Sequence, residues 1–555
     1  MKNRFKAFTA GLLAVVLAGC GSSAASTSST SGTTSSGDSS SLVVAIGAQF
    51  DTLDPALSTT VYNQYVIGDI YDGLYHLDSD GKPNLEMADS VDTSDDGLTW
   101  TFHLKKGLTF SDGTTPITSE NFEYAWLRAL SYGADNAFAV NNMLTSVKGA
   151  SDYNARALAA GSSFDCTTED HSDVGIECPD DYTIVLTLVN PVSYLPIWLS
   201  DGNVWSPLPL DTPQHSSDWS LTPGYLTCGE YDLDSISVND KAVVSKNDNF
   251  FDADRVKMNE ITYQVMTDQE SQVAAFKSGD VDIALGISTD AAISYKDSDN
   301  LWTISLPSTY SICLNCGPTG PDYLKDINVR KALYEAIDKE ALVDVIGGTE
   351  LWPILDGYVP FGLQGANGDF REERDKEGYD LKYDPDEAKE LLAKAGYDES
   401  NPLHITYKYS NNSFHQDIAT MLQQMWEAVG VEVDFDAVES GVYYSQIDEG
   451  DIELGRYGLQ TNDSPMSMLK NWTNANLVTP LVNDDKYDQM IADAAQIADP
   501  TEFANALHKA EDYLVQEQCY EYPLFQFSEP ALVQSNVHGY EQHTTLLYFS
   551  ACTKD

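Results

Sequence analysis

With 555 residues and 42% hydrophobic content, this chain exceeds the roughly 300 residues at which a single core stops growing, so two or more lobes are expected. Its 31 basic against 86 acidic residues give a net charge of −55, which repels nucleic-acid phosphates and anionic headgroups and argues against nucleic-acid binding. A solvated surface accounts for such acidity, which by itself describes no site.

The chain opens with Lys2, Arg4 and Lys6 and an apolar segment, 7–19, shorter than the ~20 residues that span a bilayer; this reads as an export signal. Leu17-Ala18-Gly19-Cys20 resembles the bacterial lipobox, so 1–19 is expected to be a lipoprotein signal peptide and Cys20 the lipid attachment residue. Residues 20–41, Ser/Thr-rich and lacking large apolar side chains, cannot offset the entropy of ordering and form a linker with a reach of roughly 25 Å.

"LVVAIG" then reads as a strand, "YNQYVIGDIYDGLYHLDSDGKP" as a helix leading into a hairpin with Asp80-Gly81 at its turn, and "LTWTFHL" as a half-buried strand. Ser119 is expected to cap the helix "ENFEYAWLRAL". Strands follow at "YTIVLTL", "AVVSKNDNFF", "EITYQVM" and "TYSICLNC". Helices are expected at "QESQVAAFKSG", "NVRKALYEAIDKEALVDVI", "PDEAKELLAKAGY", "HQDIATMLQQMWEAVG" and "EFANALHKAEDYLVQ". Mixed helix and strand without a fixed repeat make an α/β protein.

Of eight cysteines, Cys166 and Cys178 bracket a short polar segment and are a disulfide candidate, while pairing among Cys228, Cys313, Cys316, Cys519 and Cys552 stays open. The Cys313-x-x-Cys316 motif has no second pair at zinc spacing, so no metal is expected. No H-E-x-x-H, G-x-S-x-G or P-loop motif occurs, and nine histidines are scattered singly. The expectation is a protein that is not an enzyme and needs no cofactor.

Ordered segments then carry a resemblance. "ADSVDTSDDGLTWTFHLKKGLTFSDGTTPITSENFEYAW", "VGIECPDDYTIVLTLVNP", "NFFDADRVKMNEITYQVMTDQESQVAAFKSGDVDIA", "DINVRKALYEAIDKEAL", "YDPDEAKELLAKAGY" and the closing "YPLFQFSEPALV" resemble the family 5 solute-binding proteins of ABC importers, across nearly the whole mature chain. The resemblance implies a type II periplasmic-binding-protein-like fold (cluster C type): two lobes, an additional subdomain and an interlobe ligand cleft. It places lobe I at 42–72, 200–307 and 523–555, the subdomain at 73–199 and lobe II at 308–522, with hinge crossings near Ser308 and Pro523. It implies capture of oligopeptides by lobe closure and delivery to the importer's permease subunits. The address would be the outer face of the cell membrane, as in Gram-positive bacteria.

Peptide-binding members sandwich an extended ligand between two backbone segments. The matching stretches are "YDGLY", with Asp72, Gly73 and Leu74, and "GRYGLQTND", with Gly458, Leu459 and Gln460 facing them. Arg456 matches an arginine that holds a ligand carboxylate. Where the family places an aspartate for the ligand's α-ammonium, alignment puts Asn462, or Asp463 if the gap shifts, and Leu459 replaces the usual tryptophan. Asn offers no counter-charge. Relatives that bind oligosaccharides, nickel complexes, opines or other solutes are therefore the alternative within the family, and a secreted hydrolase or a surface adhesin the alternatives outside it. Tyr310, Trp472 and Phe527, candidate sugar platforms, are expected to be core.

Overall fold

The centre of the molecule is a pair of long antiparallel strands, Leu301–Leu314 and Glu521–Val533, shared by two α/β lobes. The computed structural model describes residues 40–555 except 79–80, 133–137, 201, 217, 375–380, 462–463, 477–478 and 544–545. Cys20 lies outside the described residues.

On one side of the pair, Ile283–Leu285, Ser41–Ile46 and Glu260–Val265 run parallel, and the sheet continues through Lys241–Lys246 to Tyr231–Ser237. On the other side Leu454–Gln460, Leu403–Ser410 and Val431–Val438 are parallel in turn, making ten strands in all. Parallel strands carry helices on their faces, which is why apolar runs such as Leu403, Ile405 and Tyr407 are buried. A separate antiparallel sheet of four strands, Ala88–Thr93, Thr99–Leu104, Ile176–Asp180 and Thr183–Thr187, belongs to the subdomain segment. Among the described residues no helix is long and apolar enough to cross a membrane.

The central pairing is interrupted. Leu301–Ser305 pairs with Leu532–Ser528, and Thr309–Cys313 with Gln526–Glu521, leaving Leu306, Pro307 and Ser308 opposite Phe527. Pro307 lacks the donor a ladder needs. Gln526, fully buried, spans the gap: its Nε2 donates to Ser305 Oγ (2.7 Å) and to the Leu306 carbonyl (2.8 Å), and its Oε1 accepts from Phe361 N (2.8 Å).

Local expectations were met with four corrections, and Asp80 of the expected hairpin turn lies outside the described residues. The strand expected over 242–251 stops at Lys246, where the Asn-Asp-Asn run turns the chain. Helix Ser119–Leu130 is capped by Thr118, one residue earlier than expected, with Asn121 Oδ1 accepting from Thr118 N at 2.9 Å. The helix expected over 328–346 is two, Ile327–Glu335 and Lys339–Ile346, because Asp338 caps the second by accepting from Ala341 N. The Cys166–Cys178 bridge is not formed, and all seven described cysteines are free. Cys166 is buried in a hydrophobic core cluster, whereas the Cys178 thiol donates to the Ser119 carbonyl at 3.3 Å; burial raises both thiols to about 12. In the C-x-x-C the thiols also part ways, Cys313 toward the Gly455 carbonyl and Cys316 toward that of Leu324.

Helix Ser119–Leu130 is tied to segments before and after it by Arg128, whose fully buried guanidinium makes a two-pronged pair with Asp54 and donates from Nε to the Pro213 carbonyl.

Candidate functional site

Strand Leu454–Gln460 is hydrogen-bonded along its whole length to Leu301–Leu314, but to Leu403–Ser410 only at Leu454 and Gly455. From Arg456 onward its outer edge therefore leaves the sheet. Helix Ser440–Asp448 lies against that edge: Tyr443 Oη donates to the Arg456 carbonyl and Tyr444 Oη to the Gly458 carbonyl (3.2 Å).

Alternation puts Arg456, Gly458 and Gln460 on one face. Tyr310, the register partner of Gly458, stacks on Phe525 with centroids 4.7 Å apart and an interplanar angle of 21°. The Arg456 guanidinium lies 5.5 Å from the Tyr310 ring centroid and 5.6 Å from that of Tyr444, and its Nη1 donates to Tyr444 Oη. Gly458 makes room for it, since a Cβ there would sit 2.9 Å from Arg456 Nη2. Arg456 is 9% exposed, its Nε has no partner, and among the described residues no carboxylate pairs with it. A buried guanidinium held by phenols and rings, with no counter-ion among the described residues, has the donors that a carboxylate accepts from. His415, whose Nδ1 is 3.3 Å from Tyr310 Oη, completes the surroundings; burial and the Arg456 charge lower its pKa to about 4, so it is neutral at pH 7.

The stretch expected to form the first-lobe half of the site is buried and hydrogen-bonded. Asp72, Gly73 and Leu74 are buried, with Leu74 in the core. Asp72 Oδ1 accepts from Gly73 N at 2.7 Å, and Oδ2 lies 3.7 Å from Arg255, which also holds Glu86 and Glu230 at 2.5 Å each. The Gly73 carbonyl accepts from Met87 N, so this stretch offers no free edge. Leu459 is half-buried and Gln460 exposed, while Asn462 and Asp463 lie outside the described residues. Tyr310 and Trp472 are buried, as expected for core, and Phe527 is half-buried. The residues missed are Tyr444 and His415, each a lone residue without a motif.

A cavity of about 430 Å³ between Tyr194 and Ile197 on one side and Phe370, Phe503 and Leu507 on the other has Lys82 as its only charged lining among the described residues. It has none of the chemistry gathered at Arg456.

The molecule is an α/β protein of two lobes joined by paired strands, with a buried cation where strand 454–460 parts from its neighbour. The model of the bacterial extracellular solute-binding proteins, family 5, matches residues 82–477, and the chain belongs to that family. It is 27% identical over 556 residues to the oligopeptide-binding protein OppA of Bacillus subtilis, covering 97% of each chain. To the periplasmic oligopeptide-binding protein OppA of Salmonella typhimurium it is 26% identical over 538 residues, covering 96% of this chain and 94% of that one. Among solved structures, the unliganded open form of the periplasmic murein tripeptide binding protein MppA matches with a TM-score of 0.78 at 22% identity, over 93% of this chain and 97% of that one. Listeria monocytogenes OppA bound to peptide matches at 0.64 and 21% identity, over 93% and 99%. The expected type II two-lobe fold is thus the observed one.

Proposed function

We propose that this protein captures oligopeptides between its lobes and delivers them to an ABC importer, without chemical turnover, from the outer face of the membrane to which Cys20 tethers it. The observation that carries this reading is Arg456: a buried cation with no carboxylate among the described residues, where strand 454–460 parts from Leu403–Ser410. The terminal carboxylate of an extended peptide takes the guanidinium fork, and its main chain runs beside the strand end, where the Arg456 and Gly458 carbonyls already accept from Tyr443 and Tyr444; main-chain contacts of this kind are indifferent to side chains. A neutral sugar would leave that charge unanswered. Closure would bend the paired strands at the break between 306–308 and Phe527.

Titration with a tri- to hexapeptide mixture should raise the melting temperature with concentration, as ligand binding to the native state requires, and shrink the radius of gyration in solution scattering. Intact peptides should be recovered afterwards. Scattering curves that stay superimposed with peptide proven bound would overturn lobe closure, and stabilisation by oligosaccharides alone would overturn the peptide assignment. For the tether, a Cys20→Ala variant should appear in the medium while the parent stays with the membrane fraction; equal retention of both would refute lipid attachment at Cys20.

A further inference from the structure

The apolar interior of the described residues falls into three clusters. One, around Val44, Phe102 and Trp126, takes its buried residues from positions up to Ile304 and from Ala531 onward; another, around Tyr457, Trp472 and Leu507, takes them from 313–515 alone. The third surrounds the central strands and draws on both parts of the chain. Between the two outer clusters the chain passes only along Leu301–Leu314 and Glu521–Val533.

Among the described residues one side chain, Tyr194, packs against both outer clusters. Its ring stands edge-on to Trp198 of the first, with centroids 5.2 Å apart and an interplanar angle of 84°, and lies closer to parallel with Phe503 of the second, 5.9 Å away at 29°. Trp198 and Phe503 are buried, and each is fixed by its own helix, Leu195–Trp198 and Pro500–Asp512. Two contacts accompany the ring pair. Gln496 Nε2 donates to Asn190 Oδ1 at 3.4 Å, and Ala498 comes so near the turn at Gly97 that a Cβ there would lie 2.9 Å from Ala498 Cβ.

This junction is narrow. Ser193 and Pro500 line both the cavity of about 430 Å³ and a second of about 410 Å³ that also touches Trp100, Pro191 and Ala498. Protein interiors are close-packed, with few voids larger than a water molecule, so the ring pair continues neither core. It is a contact between two surfaces, able to part and re-form as a unit. Parting it returns the faces of Tyr194 and Phe503 to water, which is unfavourable, whereas Asn190 and Gln496 exchange each other for water at little cost.

We propose that the Tyr194–Phe503 contact is a strap that restrains how far the two lobes separate before any ligand arrives. It joins them at a place in the chain remote from the paired strands, so the hinge alone does not set the opening of the unliganded molecule. The proposal goes beyond the peptide reading, and its test uses no ligand.

The experiment is solution scattering of the unliganded wild type, Tyr194→Ala, Tyr194→Phe, Phe503→Leu and the Tyr194→Ala, Phe503→Leu double variant, each with a melting curve. Tyr194 is half-buried, and leucine keeps an apolar side chain in the second core, so both substitutions spare the fold. Tyr194→Ala should raise the radius of gyration, with the parted population growing about 2- to 10-fold, the worth of an aromatic pair. Phe503→Leu should shift it in the same direction, and the double variant no further than Tyr194→Ala, because both remove one contact. Tyr194→Phe keeps the ring and should superimpose on the wild type. Folded Tyr194→Ala and Phe503→Leu proteins whose curves superimpose on the wild type would overturn the strap, as would a smaller radius, which would make the contact a prop. A double variant opening by the sum of the two shifts, or Tyr194→Phe opening as far as Tyr194→Ala, would overturn the ring pair as its cause. Should Tyr194→Ala lack a melting transition, Phe503→Leu decides by the same criterion.

Discussion

Replacing Arg456 with Met should weaken peptide binding about 30- to 4,000-fold, corresponding to the 2–5 kcal/mol lost when one partner of a buried charge pair is truncated, and should leave the unliganded protein as stable as before or slightly more so. The two halves follow from one fact. An arginine that is 9% exposed and has no carboxylate among the described residues holds its charge in an unfavourable place until a ligand arrives. Met keeps the apolar stem over Tyr310 and removes the charge, leaving the Tyr444 hydroxyl its bond to the Gly458 carbonyl. A spectroscopic marker accompanies it: part of what holds the His415 pKa at about 4 is the Arg456 charge, so its ring titration should move upward in Arg456→Met. Amidating the peptide's carboxyl end should cost the wild type affinity and cost the variant little. A variant that loses several kcal/mol of stability while binding peptide normally would show Arg456 to be a structural residue.

What could be read in advance followed from how each feature is encoded. Periodicity is local, so "LTWTFHL" foretold Thr99–Leu104 and "PDEAKELLAKAGY" foretold Pro385–Lys394. Two elements with a cap between them share one apolar period, which is why 328–346 read as one helix until Asp338 divided it. The contact of Asp72 with Arg255 could not be read in advance, because a carboxylate before a glycine looks the same whatever it faces and Arg255 is far away in the chain. The surroundings of Arg456 were not legible, because Tyr310 and Tyr444 beside it, and His415 beside Tyr310, come from three other elements with no shared spacing. Cys166 and Cys178 are near in sequence yet turned toward different surroundings, a matter of side-chain direction that spacing does not carry.

Removing the Glu511 carboxylate should have the largest effect on stability, about 3–5 kcal/mol for Glu511→Ala, the range found when one member of a buried ionic cluster is deleted. Glu511 ends helix Pro500–Asp512 and is fully buried against two arginines: Arg371, with which it pairs closely, and Arg374, at 3.3 Å. The same carboxylate accepts from Val359 N at 2.7 Å, while Arg371 Nε donates to the Val359 carbonyl at 2.8 Å. Alanine would thus strand two desolvated guanidiniums and one backbone donor, leaving Asp356, 3.6 Å from Arg371, and Asp512, beside Arg374, as partial replacements. The damage should reach the crossing between lobes, because the segment held by this cluster also supplies the Tyr358 carbonyl to Thr309 Oγ1 and Phe361 to the side chain of Gln526. If charge burial is the cause, deleting the charges together must be milder than deleting one. The triple variant Arg371→Met, Arg374→Met, Glu511→Leu should recover most of the loss in chemical denaturation, since apolar side chains of similar volume need no counter-ions, and Asp512, 36% exposed, can turn to water. A triple variant no more stable than Glu511→Ala would instead assign the loss to the Val359 backbone contact and to packing.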